Sequence, residues 1–302
     1  MRVALVYNPT AGDGQGPDLE DVLALIRGDG HDVRYRSSKD THLGAFLARP
    51  ADLVAVAGGD GTIAQVAKAL RRKRTPIAPL PTGTANNICT ALGLTRLTLR
   101  EQVSGWKTAD ARRFDIGEVS GPWGLRYFVE SVGVGMIPRM IIAAQRDGSG
   151  KRKGKRRRNA RAIRLAVRHL RDCPGIALDA RIDGRSCEGR FLLFEVMNIS
   201  LVGPNLCLAT SADPTDRLFD VVVVREFERE LLRECLEAEE EGAAWPHELT
   251  TIRGSRLEFA SGGFPVHVDD EIYLRTSGDG RRGAPIRLAM RQGVTMLLPR
   301  AA

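Results

Sequence analysis

The sequence predicts an α/β plus β protein: a Rossmann-like α/β domain followed by a β-rich, sandwich-like domain. Three observations predict it. Short apolar runs alternate with helical patterns over the first third of the chain, glycine-rich loops sit at the junctions, and strand patterns take over after about residue 115. The length of 302 residues suits about two domains. A hydrophobic content of 43% supplies core for both and excludes a disordered or collagen-like chain.

Val3–Tyr7 is a short apolar strand, followed by the loop Asn8-Pro-Thr-Ala-Gly-Asp-Gly14. Leu19, Val22, Leu23 and Ile26 recur at helical spacing, and Gly28 and Gly30 end that helix. Leu53–Ala57 is the next apolar strand, and Gly58-Gly-Asp-Gly-Thr62 follows without a gap. A helix starting near Thr62 carries Ile63, Val66, Ala67 and Leu70 on one face. Ile77–Leu80 is another strand, and Gly83-Thr-Ala-Asn-Asn87 leads into a helix with Ile88, Ala91 and Leu92. Buried strands joined by crossover helices read as a parallel sheet.

Beyond residue 115 the strand-like runs are Tyr127–Val132, Ala177–Ile182, Arg190–Asn198, Phe219–Val224, Arg256–Ala260 and Val266–Leu274. Asp183-Gly184 and Gly262-Gly263 are turn signals between them. Two helical excursions interrupt the strands, a basic one over 159–171 preceded by a flexible 151–158, and another over 227–241. Ile286–Leu298 reads as a strand that packs back on the first domain. The expected division is 1–120 for the first domain, completed by about 288–302, and 121–287 for the second.

Lys and Arg number 45 against 37 Asp and Glu, a net charge of +8. That excess is local. Lys151, Arg152, Lys153, Lys155, Arg156, Arg157, Arg158, Arg161, Arg164, Arg168 and Arg171 put +11 on 151–171, where no acid occurs, and leave −3 on the remainder. Such a patch suits a local anionic partner: phosphate, nucleic acid or lipid headgroups. No run approaches the roughly 18 apolar residues of a membrane span. The longest apolar stretch, Phe191–Val202, is broken by Glu195 and Asn198. The apolar run after Arg2 is shorter than the roughly 7–15 residues of a signal-peptide core. Five cysteines without a CxxC pair read as reduced thiols in a cytosolic protein and disfavour a zinc site.

Gly58, Gly59 and Gly61 allow a sharp turn and close approach to a ligand, with free N–H groups of the following helix facing the loop. That arrangement holds phosphate. Asp60 inside it would repel phosphate unless a divalent cation lies between them. The spacing is neither a Walker A loop nor GxGxxG, and Gly-Gly-Asp-Gly alone reads equally well as a plain tight turn.

The combination is more specific. Asn8-Pro-Thr-Ala-Gly12, Gly58-Gly-Asp-Gly-Thr62 and Pro81-Thr-Gly-Thr-Ala-Asn86, in this order, resemble the diacylglycerol kinase catalytic family, which includes bacterial lipid kinases and sphingosine and ceramide kinases. Arg113-Phe-Asp-Ile-Gly117, Ala212-Asp-Pro-Thr-Asp-Arg-Leu-Phe-Asp-Val221 and Val268-Asp-Asp-Glu271 extend the resemblance over nearly the whole chain.

The resemblance implies ATP on Gly58, Gly59, Asp60, Gly61, Thr62, Ile63 and Ala64, with Asn8, Gly83, Thr84 and Asn86 beside it and Ser37 as a further hydroxyl. It implies a catalytic Mg2+ organised by Asp60, with Asp115 in its water network. Glu271 matches the general base that accepts the proton of the lipid hydroxyl, in a cleft between the domains. Asp269 and Asp270 beside it would raise its pKa by like-charge repulsion, although acids also favour plain hairpin tips. Asp213, Asp216 and the carbonyl of Leu218 match a second, structural Mg2+ site, with a capped loop as the alternative. The chain departs from the family at Ala64, where Asn is usual, and at Asn87, where Asp is common. Asp270 and Arg217 replace glycines, and Gly203-Pro-Asn205 replaces a triple-glycine turn.

Ile163, Val167 and Leu170 form one stripe of the basic helix, flanked by Arg164, Arg168 and Arg171. An anionic membrane surface would attract Lys151–Arg171 by roughly 1 kcal/mol per basic residue. A helix packed by its apolar stripe is the other reading. Nucleic acid is disfavoured because aromatic residues do not interleave the charges. The expectation is an ATP- and Mg2+-dependent lipid kinase, cytoplasmic and reversibly membrane-associated. Exposed strand edges are compatible with a homodimer. A sphingolipid kinase, or a soluble-substrate kinase resembling NAD kinases, is the alternative.

Overall fold

The computed structural model describes residues 1–14, 16–147, 155–260, 262–274 and 285–300. Its contacts divide the chain into two compact units, Met1–Ile116 with Gln292–Ala302, and Gly117–Arg291.

The first unit runs β1 (Arg2–Tyr7), α1 (Leu19–Gly28), β2 (Asp32–Ser37), α2 (Leu43–Ala48), β3 (Leu53–Gly58), α3 (Asp60–Leu70), β4 (Ile77–Pro81), α4 (Asn87–Ala91) and α5 (Leu99–Ser104). Then β5 (Asp110–Gly121) begins. The sheet order β4-β3-β1-β2 is parallel throughout, and Met296 of the C-terminal strand pairs in parallel with Ile77. From β1 the chain crosses outward to β2, and from β3 it crosses the other way to β4. The order therefore reverses between β1 and β3, where an open α/β sheet leaves a crevice at its carboxyl edge. Val22, Leu23 and Ile26 of α1 bury against Val3, Leu5, Leu53, Leu80 and Trp106. Thr98 and Glu101 start α5 with a reciprocal capping box.

Sequence periodicity misses β2, α2 and α5. β2 is an edge strand, Asp-Val-Arg-Tyr-Arg-Ser, with no fully buried residue and hence no apolar run. The third helix begins at Asp60, not near Thr62, because Gly59 is already its N-cap and its carbonyl accepts from Thr62 and Ile63.

The second unit continues with β6 (Gly124–Phe128), β7 (Ser131–Gly135), α6 (Met136–Asp147), α7 (Lys155–Arg171), β8 (Ile176–Ile182), β9 (Arg185–Met197), β10 (Leu201–Val202), β11 (Leu206–Cys207), β12 (Phe219–Arg225) and α8 (Arg229–Glu241). It ends with β13 (Thr250–Gly254), β14 (Arg256–Ala260), β15 (Val266–Val268), β16 (Glu271–Tyr273) and the start of β17 (Pro285–Leu298). Strand pairing here is antiparallel. One end of β9 pairs β8, and the other lies between β7 and β12.

Alternation along β9 splits its side chains between two cores. Phe194 and Val196 join Phe219, Val221, Leu257 and Phe259 on one face. Leu193 and Met197 join Val222, Val224, Leu232 and Leu170 under the helices on the other. Burial on both faces explains why β9 reads as a nearly continuous apolar run.

Two expected strands are each broken in two, the second into an antiparallel hairpin. Tyr127–Val132 divides between β6 and β7, and Val266–Leu274 between β15 and β16. The second break falls at Asp269, whose φ of 50° lies in the left-handed turn region. The basic helix begins at Lys155, so 155–158 is helical where a flexible segment was expected. Residues 151–154 lie outside the described residues. Ile163, Ala166 and Leu170 are buried and Val167 packs beside them, so the apolar stripe faces core. Arg229 donates to the carbonyls of Leu170 and Cys173 and closes the end of α7. No helix among the described residues is long and apolar enough to cross a membrane.

Candidate active site

In the first unit the loops after β1, β3 and β4 are tied into one structure. Asn8 Nδ2 donates to Thr62 Oγ1 at 2.9 Å, bridging the reversal point of the sheet. Asn8 Oδ1 accepts from the amide and hydroxyl of Thr10. Thr82 N donates to the carbonyl of Gly58 at 3.1 Å. Glycine is required by close approach: a Cβ on Gly58 would lie 2.6 Å from Thr62 Cβ, and one on Gly83 would lie 2.2 Å from the Cα of Gly59. Asn86 adopts φ 57°, accepts from Gly83 N at 2.9 Å and donates to Gly83 O at 3.0 Å.

Asp60 stands at this junction. Its Oδ1 accepts from Ile88 N at 2.9 Å. Burial raises its pKa, opposed by amide hydrogen bonds from Ile88, Asn87, its own backbone and Asn86. Ile63 and Ala64 are buried, and Thr84 lies half-buried between Gly83 and Asn86. Ser37 ends β2 opposite Tyr7, and its Oγ accepts from Lys39 N at 3.3 Å. Asp115 is fully buried on β5 and accepts from Arg113 Nε at 2.9 Å.

In the second unit Glu271 is exposed at the start of β16, opposite Val268. Its Oε2 accepts the Tyr273 hydroxyl proton. Asp269, expected to press charge on Glu271, has its carboxylate engaged by backbone amides. Its carboxylate accepts from the amides of Val129 at 3.1 Å, Glu130 at 2.9 Å and Ser131 at 3.3 Å. The reason is local: three amides at the β6–β7 turn need an acceptor once buried.

The Asp213–Leu218 loop is closed on itself. Asp213 Oδ1 accepts from Thr215 N at 2.9 Å and Thr215 Oγ1 at 2.7 Å. Asp216 Oδ1 accepts from Leu218 N at 2.8 Å, and its Oδ2 accepts from Arg253. A guanidinium thus faces Asp216 where a second Mg2+ was expected. No cluster of three metal-ligating side chains occurs among the described residues. A groove of about 860 Å3 beside Arg181, Arg256 and Arg287 contains none of the expected site residues.

Residues 2–119 match the family model "Diacylglycerol kinase catalytic domain", and residues 144–291 match "YegS C-terminal NAD kinase beta sandwich-like domain". Residues 2–119 belong to the diacylglycerol kinase catalytic-domain family, and the chain is a kinase of the lipid-kinase class. It is 27% identical to a diacylglycerol kinase of Bacillus subtilis (strain 168), over 74% of each chain. It is 23% identical to one of Mycobacterium tuberculosis, over 90% of this chain and 89% of the relative. A solved diacylglycerol kinase from Bacillus anthracis str. Sterne matches with TM-score 0.68 and 17% identity over 98% of this chain and 96% of that one. Yeast NADH kinase complexed with NADH matches with TM-score 0.55 and 11% identity over 99% and 84%. These two share the fold, a two-unit architecture with a β-sandwich-like second domain. Kinases of this family draw their phosphoryl group from ATP.

Three of the departures from the family sit in defined local settings, and nothing in the structure explains Ala64 or Asp270. Arg217 adopts φ 65°, the conformation that glycine favours. In the β10–β11 turn Gly203 and Asn205 take φ 55° and 68°, and Asn tolerates that region. Asn87 is 2% exposed and donates its amide toward Asp60.

Two acid–base features escape sequence reasoning. His267 and Glu195 are fully buried and paired, Nε2 to Oε1 at 2.7 Å, while His267 Nδ1 donates to the Asp269 carbonyl at 2.8 Å. Glu195 lies over Gly133, where a Cβ would sit 1.8 Å from its Oε2. The available signal was Glu195 itself, a lone acid inside the longest apolar run. The other feature is Tyr273, whose spacing of two from Glu271 places both on one face of a strand.

Proposed function

We propose that the protein is an ATP- and Mg2+-dependent kinase that transfers the γ-phosphate to the hydroxyl of diacylglycerol or a related lipid alcohol. The observation that carries the reading is the locked pair of loops, Gly58–Thr62 and Thr82–Asn86, at the reversal point of a parallel sheet. Backbone amides of such loops bind phosphate oxygens, and Thr62, Asn8 and Thr84 supply polar side chains beside them.

The donor set around Asp60 fits Mg2+. Asp60 is a buried carboxylate whose pKa is raised by desolvation, and the groups that oppose this are backbone amides, not a cationic side chain. Bound there, Mg2+ would neutralise charge on the transferring phosphoryl group. Asp115, already engaged by Arg113, would act through water. The Asp213–Leu218 loop does not fit a cation as arranged, because Arg253 holds Asp216. Glu271 is exposed, and its Oε1 is the oxygen we assign to the acceptor hydroxyl as general base. A positioned carboxylate contributes roughly 10²–10⁴-fold to such a step.

Recruitment to anionic membrane through Lys151–Arg171 belongs to the same reading. Ile163, Ala166 and Leu170 anchor the helix to its own unit, while Arg164, Arg168 and Arg171 stay exposed. Arg164 pairs with Glu240 at 3.1 Å. The test is γ-labelled ATP with diacylglycerol, phosphatidylglycerol, ceramide and a long-chain base in mixed micelles, with NAD+ as a soluble acceptor. Mg2+-dependent label in a glycerolipid supports the proposal. Label in NADP+ alone, or in no acceptor, contradicts it.

A further inference from the structure

Around the exposed Glu271 the second unit builds a chain of contacts that proton acceptance alone does not require. Tyr273 OH donates to Glu271 Oε2. Arg126 Nε donates to the same phenol oxygen at 2.9 Å, and its guanidinium carbon lies 5.5 Å from the Tyr273 ring centre. Trp123 stacks on that ring at 4.8 Å, with planes 29° apart. Trp123 and Tyr273 in turn pack against the sandwich core. Arg126 has no acceptor atom in its guanidinium, so the phenol oxygen must accept from it. The phenolic hydrogen is then committed to Glu271.

We propose that Tyr273 is a positioning residue for Glu271, holding one carboxylate oxygen so that the other faces the acceptor hydroxyl, with Arg126 and Trp123 fixing Tyr273. The inference rests on the reading of Glu271 as general base. Three physical points favour it. A glutamate on an exposed short strand has free χ torsions, and a misaimed base loses rate steeply. A donor on Oε2 removes the rotamers that turn Oε1 away. The phenol remains protonated, because burial and the neighbouring carboxylate raise the Tyr273 pKa more than Arg126 lowers it.

The hydrogen bond also sets a pH signature. A donor on a carboxylate oxygen favours the charged form, so losing the donor is read in the pH profile of the rate. The elements packed against β16 carry further titratable or charged groups, His267 on β15 and Arg139 on α6, and Arg126 on β6 reaches it through Tyr273. Asp269 and Asp270 precede Glu271 in the chain, and the Asp269 carboxylate is taken up by the amides of 129–131.

The experiment compares wild type, Tyr273→Phe, Arg126→Gln and the double variant, measuring kcat, KM for ATP and the pH profile of kcat in lipid micelles. Tyr273→Phe keeps the ring stacked on Trp123 and removes only the hydroxyl. The expected result is a fall in kcat of about 3–10-fold, an unchanged KM for ATP, and an acid limb displaced to higher pH. Arg126→Gln should shift the limb the same way, and adding it to Tyr273→Phe should change little more. A Tyr273→Phe profile that superimposes on an active wild type overturns the inference alone. A wild type whose transfer does not depend on Glu271 overturns the functional reading and the inference with it.

Discussion

Gly59 and Gly83 touch through their backbones, so that a methyl group placed on Gly83 would lie 2.2 Å from the Cα of Gly59 and 2.7 Å from Asn86 Oδ1. The loop after β3 and the loop after β4 are thus one rigid body. Gly83→Ala should force them apart, at a cost of about 1–3 kcal/mol of stability by overpacking. ATP affinity should fall in the same variant. Urea unfolding and nucleotide titration read the two effects, and wild-type affinity in Gly83→Ala would show that the loop contact does not shape the nucleotide site.

Asp60 opposes its own fold. Burial raises its pKa above the ordinary 3.8, so the folded state holds the proton more tightly than the unfolded chain. Stability from this group therefore falls as pH rises through that raised value. Asp60→Asn removes the charge and keeps an oxygen for the Ile88 amide. Its unfolding midpoint at pH 7.5 should be no lower than wild type, while transfer falls by about 10²-fold or more. A calorimetric scan with a rate assay separates these outcomes, and full activity in Asp60→Asn would remove Asp60 from the chemistry.

His267 and Glu195 give the second unit an opposite pH signature to a simple buried histidine. Burial alone would hold His267 neutral, but the Glu195 carboxylate in contact with it and the Asp269 backbone and charge together raise its pKa above the ordinary 6.5. The pair's contribution is complete below pH 6.5 and is lost as pH climbs through the raised value. Glu195→Gln should lower stability at pH 6 by about 3 kcal/mol and flatten the decline between pH 6 and 9. Denaturation midpoints across that range, with the His267 ring followed by NMR, check it.

Arg253 holds Asp216, and its Nε lies 3.8 Å from Asp220 Oδ1. The loop therefore carries its own cation. Without nucleotide, the unfolding midpoint should ignore both Mg2+ and chelator. Arg253→Met should cost about 1 kcal/mol and make the midpoint respond to Mg2+. A wild-type midpoint that rises with Mg2+ and loses the response in Asp216→Asn would restore a metal at this loop.

Legibility in the sequence followed burial and local chemistry. β3, fully buried, and β14, alternating from Arg256 to Ala260, were readable because one periodicity dominated each. β2 was not, since an exposed edge strand needs no apolar run. The glycine loops were readable as strand-to-helix junctions expected to hold phosphate, yet the reason for glycine at 59 and 83 is contact between two loops 24 positions apart, which no local pattern carries. The amide partners of Asp269 at 129–131 were not readable, because they lie far off in sequence. Arg126 and Trp123 gave no signal for the same reason, and Tyr273 only its spacing of two from Glu271.

The most direct test of the account is Glu271→Gln in the labelled-ATP assay on diacylglycerol micelles. The variant should bind ATP as wild type does and transfer phosphate about 10²–10⁴-fold more slowly. A Glu271→Gln protein that phosphorylates diacylglycerol at the wild-type rate would contradict the assignment of the base and the reading built on it.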